Sequence, residues 1–151
     1  MPSFEDFRKQ IDATIKDLNS NRKKNTLILS KDAFALVFNR VVNTGEKATG
    51  GKFEAYSPGY KTFKAKTRQV AFRDFKMTND MWRGIGPVLV GETAETITYL
   101  HGAIDPAQQD KIDHNVRRSG NFLELNQKEI GILDITNNER LVKALKDNGI
   151  A

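Results

Sequence analysis

The chain has 151 residues, with 24 Lys or Arg, 19 Asp or Glu and no cysteine, and so a net charge of +5 at neutral pH. This length suits one domain with a real core, and the lack of cysteine excludes a disulfide framework, a thiolate nucleophile and a cysteine-ligated metal. The opening Met1-Pro2-Ser3-Phe4-Glu5-Asp6 turns acidic with no apolar run, unlike a signal peptide, and no stretch approaches the roughly 18 apolar residues of a membrane span, so synthesis in a cytoplasm and no membrane partner are expected.

Ser3 followed by Asp6 has the form of a capping box. Phe4, Phe7, Ile11, Ile15 and Leu18 then recur at helical spacing and predict an amphipathic helix up to about Asn19. Asn19-Ser20-Asn21 and Arg22-Lys23-Lys24 are expected to end it, with Leu27-Ile28-Leu29 a short strand or extended link. Ser30 can cap a second helix that buries Phe34, Val37, Phe38 and Val41 and stops near Asn43, before Gly45. Phe7, Ile11, Ile15, Phe34, Phe38, Val41 and Leu141 are expected to share one core.

The segment Thr44–Lys76 holds eight basic residues against three acids, which is the whole net charge, since the other 118 residues balance at 16 and 16. It also carries six of the 13 aromatics: Phe53, Tyr56, Tyr60, Phe63, Phe72 and Phe75. With Gly45, Gly50 and Gly51 at its base, a break at Ser57-Pro58-Gly59 and little apolar periodicity, it reads as a projecting functional arm, ordered only on assembly. Lys61-Thr62-Phe63-Lys64-Ala65-Lys66-Thr67-Arg68 alternates in the manner of a hairpin with one basic edge. The same interleaving of cations and rings, with Tyr60, Lys61, Phe63, Lys64 and Lys66, permits a nucleic-acid reading in which phosphates meet lysines and bases stack on aromatics.

Beyond the arm, Thr78 caps a one- or two-turn helix through Trp82, and Val88–Val90 and Thr96–Leu100 predict two strands. Asp105-Pro106 starts a surface helix with Ile112 and Val116 inward. Phe122–Leu125 reads as a strand and Ile130–Leu133 as another apolar run. Thr136 with Glu139 predicts the cap of a last helix that faces Leu141, Val142 and Leu145 inward and ends at Asn148-Gly149. The sum is one α+β domain over residues 1–151: a small mixed or antiparallel sheet, an N-terminal helix pair and a C-terminal helix, with a long extended basic-aromatic arm or hairpin.

No catalytic constellation is legible. His101 and His114, with Asp105, Asp110 and Asp113 between them, lack the HExxH-like spacing of a zinc site. Gly84-Ile85-Gly86 lacks the lysine and hydroxyl residue of a phosphate loop, and Trp82 reads as a core or interface anchor.

Taken together, Gly50-Gly51-Lys52-Phe53, Tyr56-Ser57-Pro58-Gly59-Tyr60, Lys64 and Lys66 resemble a loop of tailed-bacteriophage virion-morphogenesis and tail-completion proteins. Phe75-Lys76-Met77-Thr78-Asn79-Asp80-Met81-Trp82-Arg83-Gly84-Ile85 is similar to the segment that follows it there. Arg117-Arg118 with Asn121-Phe122-Leu123-Glu124-Leu125 resembles the strand before the family's last helix. The match is scattered over 40–125 and dense only over 50–66. It departs where His114-Asn115 stands for a usual His-Gly and Ser119-Gly120-Asn121 for a more usual proline. The branch therefore stays open between tail completion, tail terminator and head–tail connector.

The resemblance implies a virion structural protein with no catalytic site, metal or cofactor. Its partners would be further copies of itself in a ring and neighbouring portal, neck or tail proteins, close to packaged DNA. The expected interface is the arm: Phe53, Tyr56, Tyr60, Lys61, Phe63, Lys64, Lys66 and Arg68. The alternative is a small basic DNA- or RNA-binding protein that uses the same arm.

Overall fold

The computed structural model describes residues 3–66, 71–75 and 80–150. It is an α+β fold with an N-terminal helix pair, a two-stranded antiparallel sheet and a long C-terminal helix. The first helix, α1 (Phe4–Ser20), begins on the expected capping box: Ser3 accepts from the Asp6 amide, and Asp6 accepts from the Ser3 amide at 3.1 Å. It ends at Asn21, whose side chain donates to Asp17 Oδ1 at 2.8 Å. The chain turns there within one residue and continues as α2 (Arg22–Asn39).

Leu27-Ile28-Leu29 thus lies inside α2 and is not a strand, and Ser30 is an interior residue and not a cap. The polar triplet ends one helix, but nothing after it prevents the next from starting at once. A π-helical turn, Arg40–Thr44, closes α2 on Gly45, the expected stop, with φ of 65°.

The short α3 (Pro58–Lys64) and α4 (Asp80–Arg83) precede the hairpin of β1 (Ile85–Glu92) and β2 (Ile97–Ala103), close to the two expected strands. Thr78, the expected cap of α4, lies outside the described residues. Asp105 caps the turn into α5 (Gln109–Ser119) by accepting from the Ala107 amide at 3.0 Å. Phe122–Leu125 is irregular and not a strand, although Phe122 is fully buried. The last helix, α6 (Gln127–Asp147), takes in both the Ile130–Leu133 run and Thr136. Its cap is Asn126 with Glu129, and the Thr136 hydroxyl only donates back to the Ile132 carbonyl at 2.9 Å.

The core gathers where α2, the π turn, α4, β1, α5 and the 122–123 turn meet. Val37, Val41, Phe53, Trp82, Ile85 and Phe122 are buried there. Its rings form a chain of edge and stacked contacts: Phe38–Trp82 at 5.1 Å, Trp82–Phe122 at 5.6 Å, Phe122–Phe75 at 4.7 Å and Phe75–Phe53 at 5.1 Å. Phe34, Phe38 and Val41 belong to this core as expected, but Phe7, Ile11, Ile15 and Leu141 do not. Phe7, Ile11 and Ile15 are exposed because α1 packs mainly against α2 and α6, with Gln10 against Gly149, and Leu141 is 39% exposed on α6. Thr14 is the one buried residue of α1.

A buried ion pair pins the base of the fold. Arg40 Nε donates to Glu129 Oε1 at 2.7 Å, and its other nitrogens donate to the carbonyls of Glu46 at 2.7 Å and Glu124 at 2.6 Å. Glu129 Oε2 meanwhile accepts from the Asn126 amide, so one carboxylate caps α6 and neutralises Arg40. A buried charge needs this degree of pairing to be tolerated.

Candidate assembly interface

The basic-aromatic segment leaves the core at Gly45 and returns to it twice. Glu46 and Lys52 face each other across a tight turn in which Lys47 N donates to Gly51 O at 2.9 Å and Phe53 N to Gly45 O at 2.8 Å. Gly45 is required here: its φ is positive, and a Cβ on it would lie 2.4 Å from the Phe72 ring. The turn delivers Phe53, 4% exposed, into the core.

Ser57-Pro58 then starts α3, with proline in the first turn where no amide donor is needed. The alternation that suggested a strand is overridden, and α3 carries Lys64 inward. Lys64 is fully buried and pairs with Asp74, itself 2% exposed. The Tyr56 hydroxyl donates to Asp74 Oδ1 at 2.8 Å and accepts from Lys64 Nζ at 3.0 Å. Asp74 O accepts from Trp82 Nε1 at 3.1 Å, which locks this polar knot to the core tryptophan. Burial, and then the adjacent Asp74 carboxylate, push the Tyr56 phenol well above the usual tyrosine range.

The residues expected to form one exposed arm interface therefore divide. Phe53 and Lys64 are buried and hold the segment down, and half-buried Tyr56 joins them. Tyr60, Lys61, Phe63 and Lys66 are exposed on or just after α3. Arg68 lies outside the described residues. Phe53 and Lys64 turn inward for the same reason: each finds a partner, rings for the one and a carboxylate for the other, that solvent cannot match.

Two features were not read from the sequence. The apolar face of α1 is open to solvent, with Phe4 83%, Phe7 44% and Ile15 51% exposed. Its period of 3.6 was legible, but periodicity does not say what covers a stripe. The second feature is a cavity of about 540 Å³ between α3, α4, α5 and residues 73–75. Tyr56, Tyr60, Phe75 and Met81 give it an apolar wall, and Lys111 and Arg118 of α5 stand at its rim. Phe75 holds a left-handed backbone, φ 55°, between the rings of Phe53 and Phe122. The one signal in the sequence was Arg73-Asp74 between two phenylalanines, since charges inside an aromatic run are under pressure to be paired and buried.

The two histidines do not come together. His101 Nε2 lies 3.0 Å from the Ser30 carbonyl, with its ring edge-on to Phe34, whereas His114 is on the cavity rim. Among the described residues no three His, Asp or Glu side chains converge, and no helix is long and apolar enough to cross a membrane. No family model, curated protein or solved structure matches this chain.

Proposed function

We propose that the chain is a non-catalytic structural subunit of a tailed-phage neck or tail end, acting as a head–tail connector, tail-completion or tail-terminator protein. The observation that carries this reading is the open apolar face of α1. A helix with a proper cap, regular periodicity and Phe4, Phe7, Ile11 and Ile15 in solvent is a contact surface awaiting a partner. The likeness to virion-morphogenesis proteins supplies the setting, and the geometry gives its residues work to do. Tyr56, Lys64, Asp74 and Trp82 form the knot that holds the segment to the core beside buried Phe53, which leaves Tyr60, Lys61, Phe63 and Lys66 displayed on a fixed support.

The alternative, nucleic-acid binding through the segment, is weakened because Lys64 is fully buried against Asp74 and turned away from any phosphate track. Electron microscopy of particles that carry a labelled chain tests the proposal. Label at the neck or tail end is the expected result. Its absence from purified virions, together with salt-sensitive binding of the free protein to arbitrary duplex, would replace this reading with the alternative.

A further inference from the structure

Arg73 on the cavity wall is 4% exposed. Its guanidinium donates to Ser119 Oγ at 2.7 Å and Ala55 O at 3.4 Å and lies 5.8 Å from the Tyr56 ring centre. Among the described residues no carboxylate pairs with it. A buried cation with only neutral partners is costly and calls for an anion. Lys111 and Arg118 add positive charge at the rim, against Asp80 and Asp110, and Asp80 already lies 3.9 Å from Arg83. The volume is that of a side-chain or ligand pocket. Its walls suit an aromatic group with acidic groups beside it.

The chain itself exposes such a group. Among the described residues Phe4 is the most exposed large apolar one, and Glu5, Asp6 and Phe7 follow it on the first turns of α1. Glu5 and Asp6 lie in the first turn, ahead of Arg8 and Lys9, so the leading end of the helix beside Phe4 is acidic although the first two turns balance. This tip cannot enter the cavity of its own chain. α6 runs antiparallel to α2, with Glu129 at Arg40 and Arg140 at Asp32, so its end lies at the start of α2. Gln10 of α1 packs there against Gly149, while the cavity lies towards the other end of α2, where Phe38 meets Trp82, and the eighteen residues of α2 span about 27 Å.

We infer that the α1 tip of one copy, led by Phe4 and Glu5, inserts into the Tyr56–Arg73–Lys111–Arg118 cavity of the next copy. Donor and acceptor lie at opposite ends of the subunit, so the contact is head-to-tail and propagates into a ring or filament. The inference rests on the reading of the chain as an assembling subunit and names the contact that assembles it.

Two double variants test it: Phe4→Ala with Glu5→Lys, which removes the donor, and Lys111→Glu with Arg118→Glu, which removes the acceptor. All four side chains are exposed, and none makes a side-chain hydrogen bond among the described residues, so both variants keep the fold. Sedimentation velocity of the wild-type chain should show concentration-dependent association, which each variant alone weakens by at least about tenfold. Mixing the two variants leaves one intact donor and one intact acceptor, so the mixture should form 1:1 dimers and nothing larger. A variant that associates like wild type, or a mixture that stays monomeric while wild type associates, overturns this contact and leaves the assembly reading standing. A wild-type chain that stays monomeric at every concentration likewise overturns this contact, and label at the neck or tail end then decides the assembly reading separately.

Discussion

The segment Thr44–Lys76 and helix α1 exchange the roles that their sequences suggest. The segment has the charge, glycines and aromatics of a mobile arm, yet it is tied to the core by Phe53, Phe75 and the buried Lys64–Asp74 pair. α1 has the stripe of a core helix, yet buries only Thr14. Charge density reports what a segment must satisfy, and periodicity reports which face is apolar. Neither reports where the partner is. For Lys64 the partner is ten residues along the same chain; for Phe4 we place it on another copy.

The largest expected break of this comparison is at Lys64. Lys64→Ala removes the buried cation that neutralises the Asp74 carboxylate and should cost about 3–5 kcal/mol in denaturant unfolding. Lys61→Ala, one turn earlier on the exposed side of α3, should stay within about 0.5 kcal/mol. Equal effects would mean that the segment is not anchored through Lys64. A similar contrast holds for two phenylalanines. Phe122→Ala removes a fully buried ring and should cost about 3–5 kcal/mol. Phe7→Ala, measured at concentrations too low for association, should cost less than about 1 kcal/mol, because its ring is 44% exposed in the single chain.

A smaller effect is expected at Gly45. Gly45→Ala forces a side chain into a positive φ and against Phe72, for a loss of about 1–3 kcal/mol by thermal or chemical unfolding. A neutral result would show that the segment can leave the core without strain.

The smallest effect is at the cap of α1. Hydrogen bonds from the Ser3 hydroxyl and amide hold the Asp6 carboxyl below the usual aspartate range. Its folded value is thus depressed. The cap's contribution is fully present above the ordinary value of about 3.9 and is lost as pH falls through the lowered one. Nuclear magnetic resonance should show the first turn of α1 fraying in acid, and no fraying would exclude the cap as its anchor.

Much of the fold was readable where local chemistry decides it. The Ser3–Asp6 box, the Gly45 stop, the two strands and the Asp105 cap each depend on residues within a few positions. Errors arose where a local signal had a stronger competitor nearby. Asn126 with Glu129 is the real cap of α6, but Ile130–Leu133 read as a separate apolar run, and Thr136 offered a false start that its bond to Ile132 O explains. Leu27–Leu29 looked like a strand because Asn19-Ser20-Asn21 promised a longer break than one residue. The candidate site was half legible: its cations and rings were found, but Asp74 and the α5 residues that complete the knot and the cavity come together only through tertiary packing.

Amide hydrogen exchange, on a confirmed monomer and again on the assembled form, tests the central claim most directly. The amides of residues 61–65 in α3 and of Phe53 should be protected already in the monomer. Those in the first half of α1 should exchange faster there and gain protection on assembly. Rapid exchange across 53–65 in the monomer, with α1 protected from the start, would contradict the account.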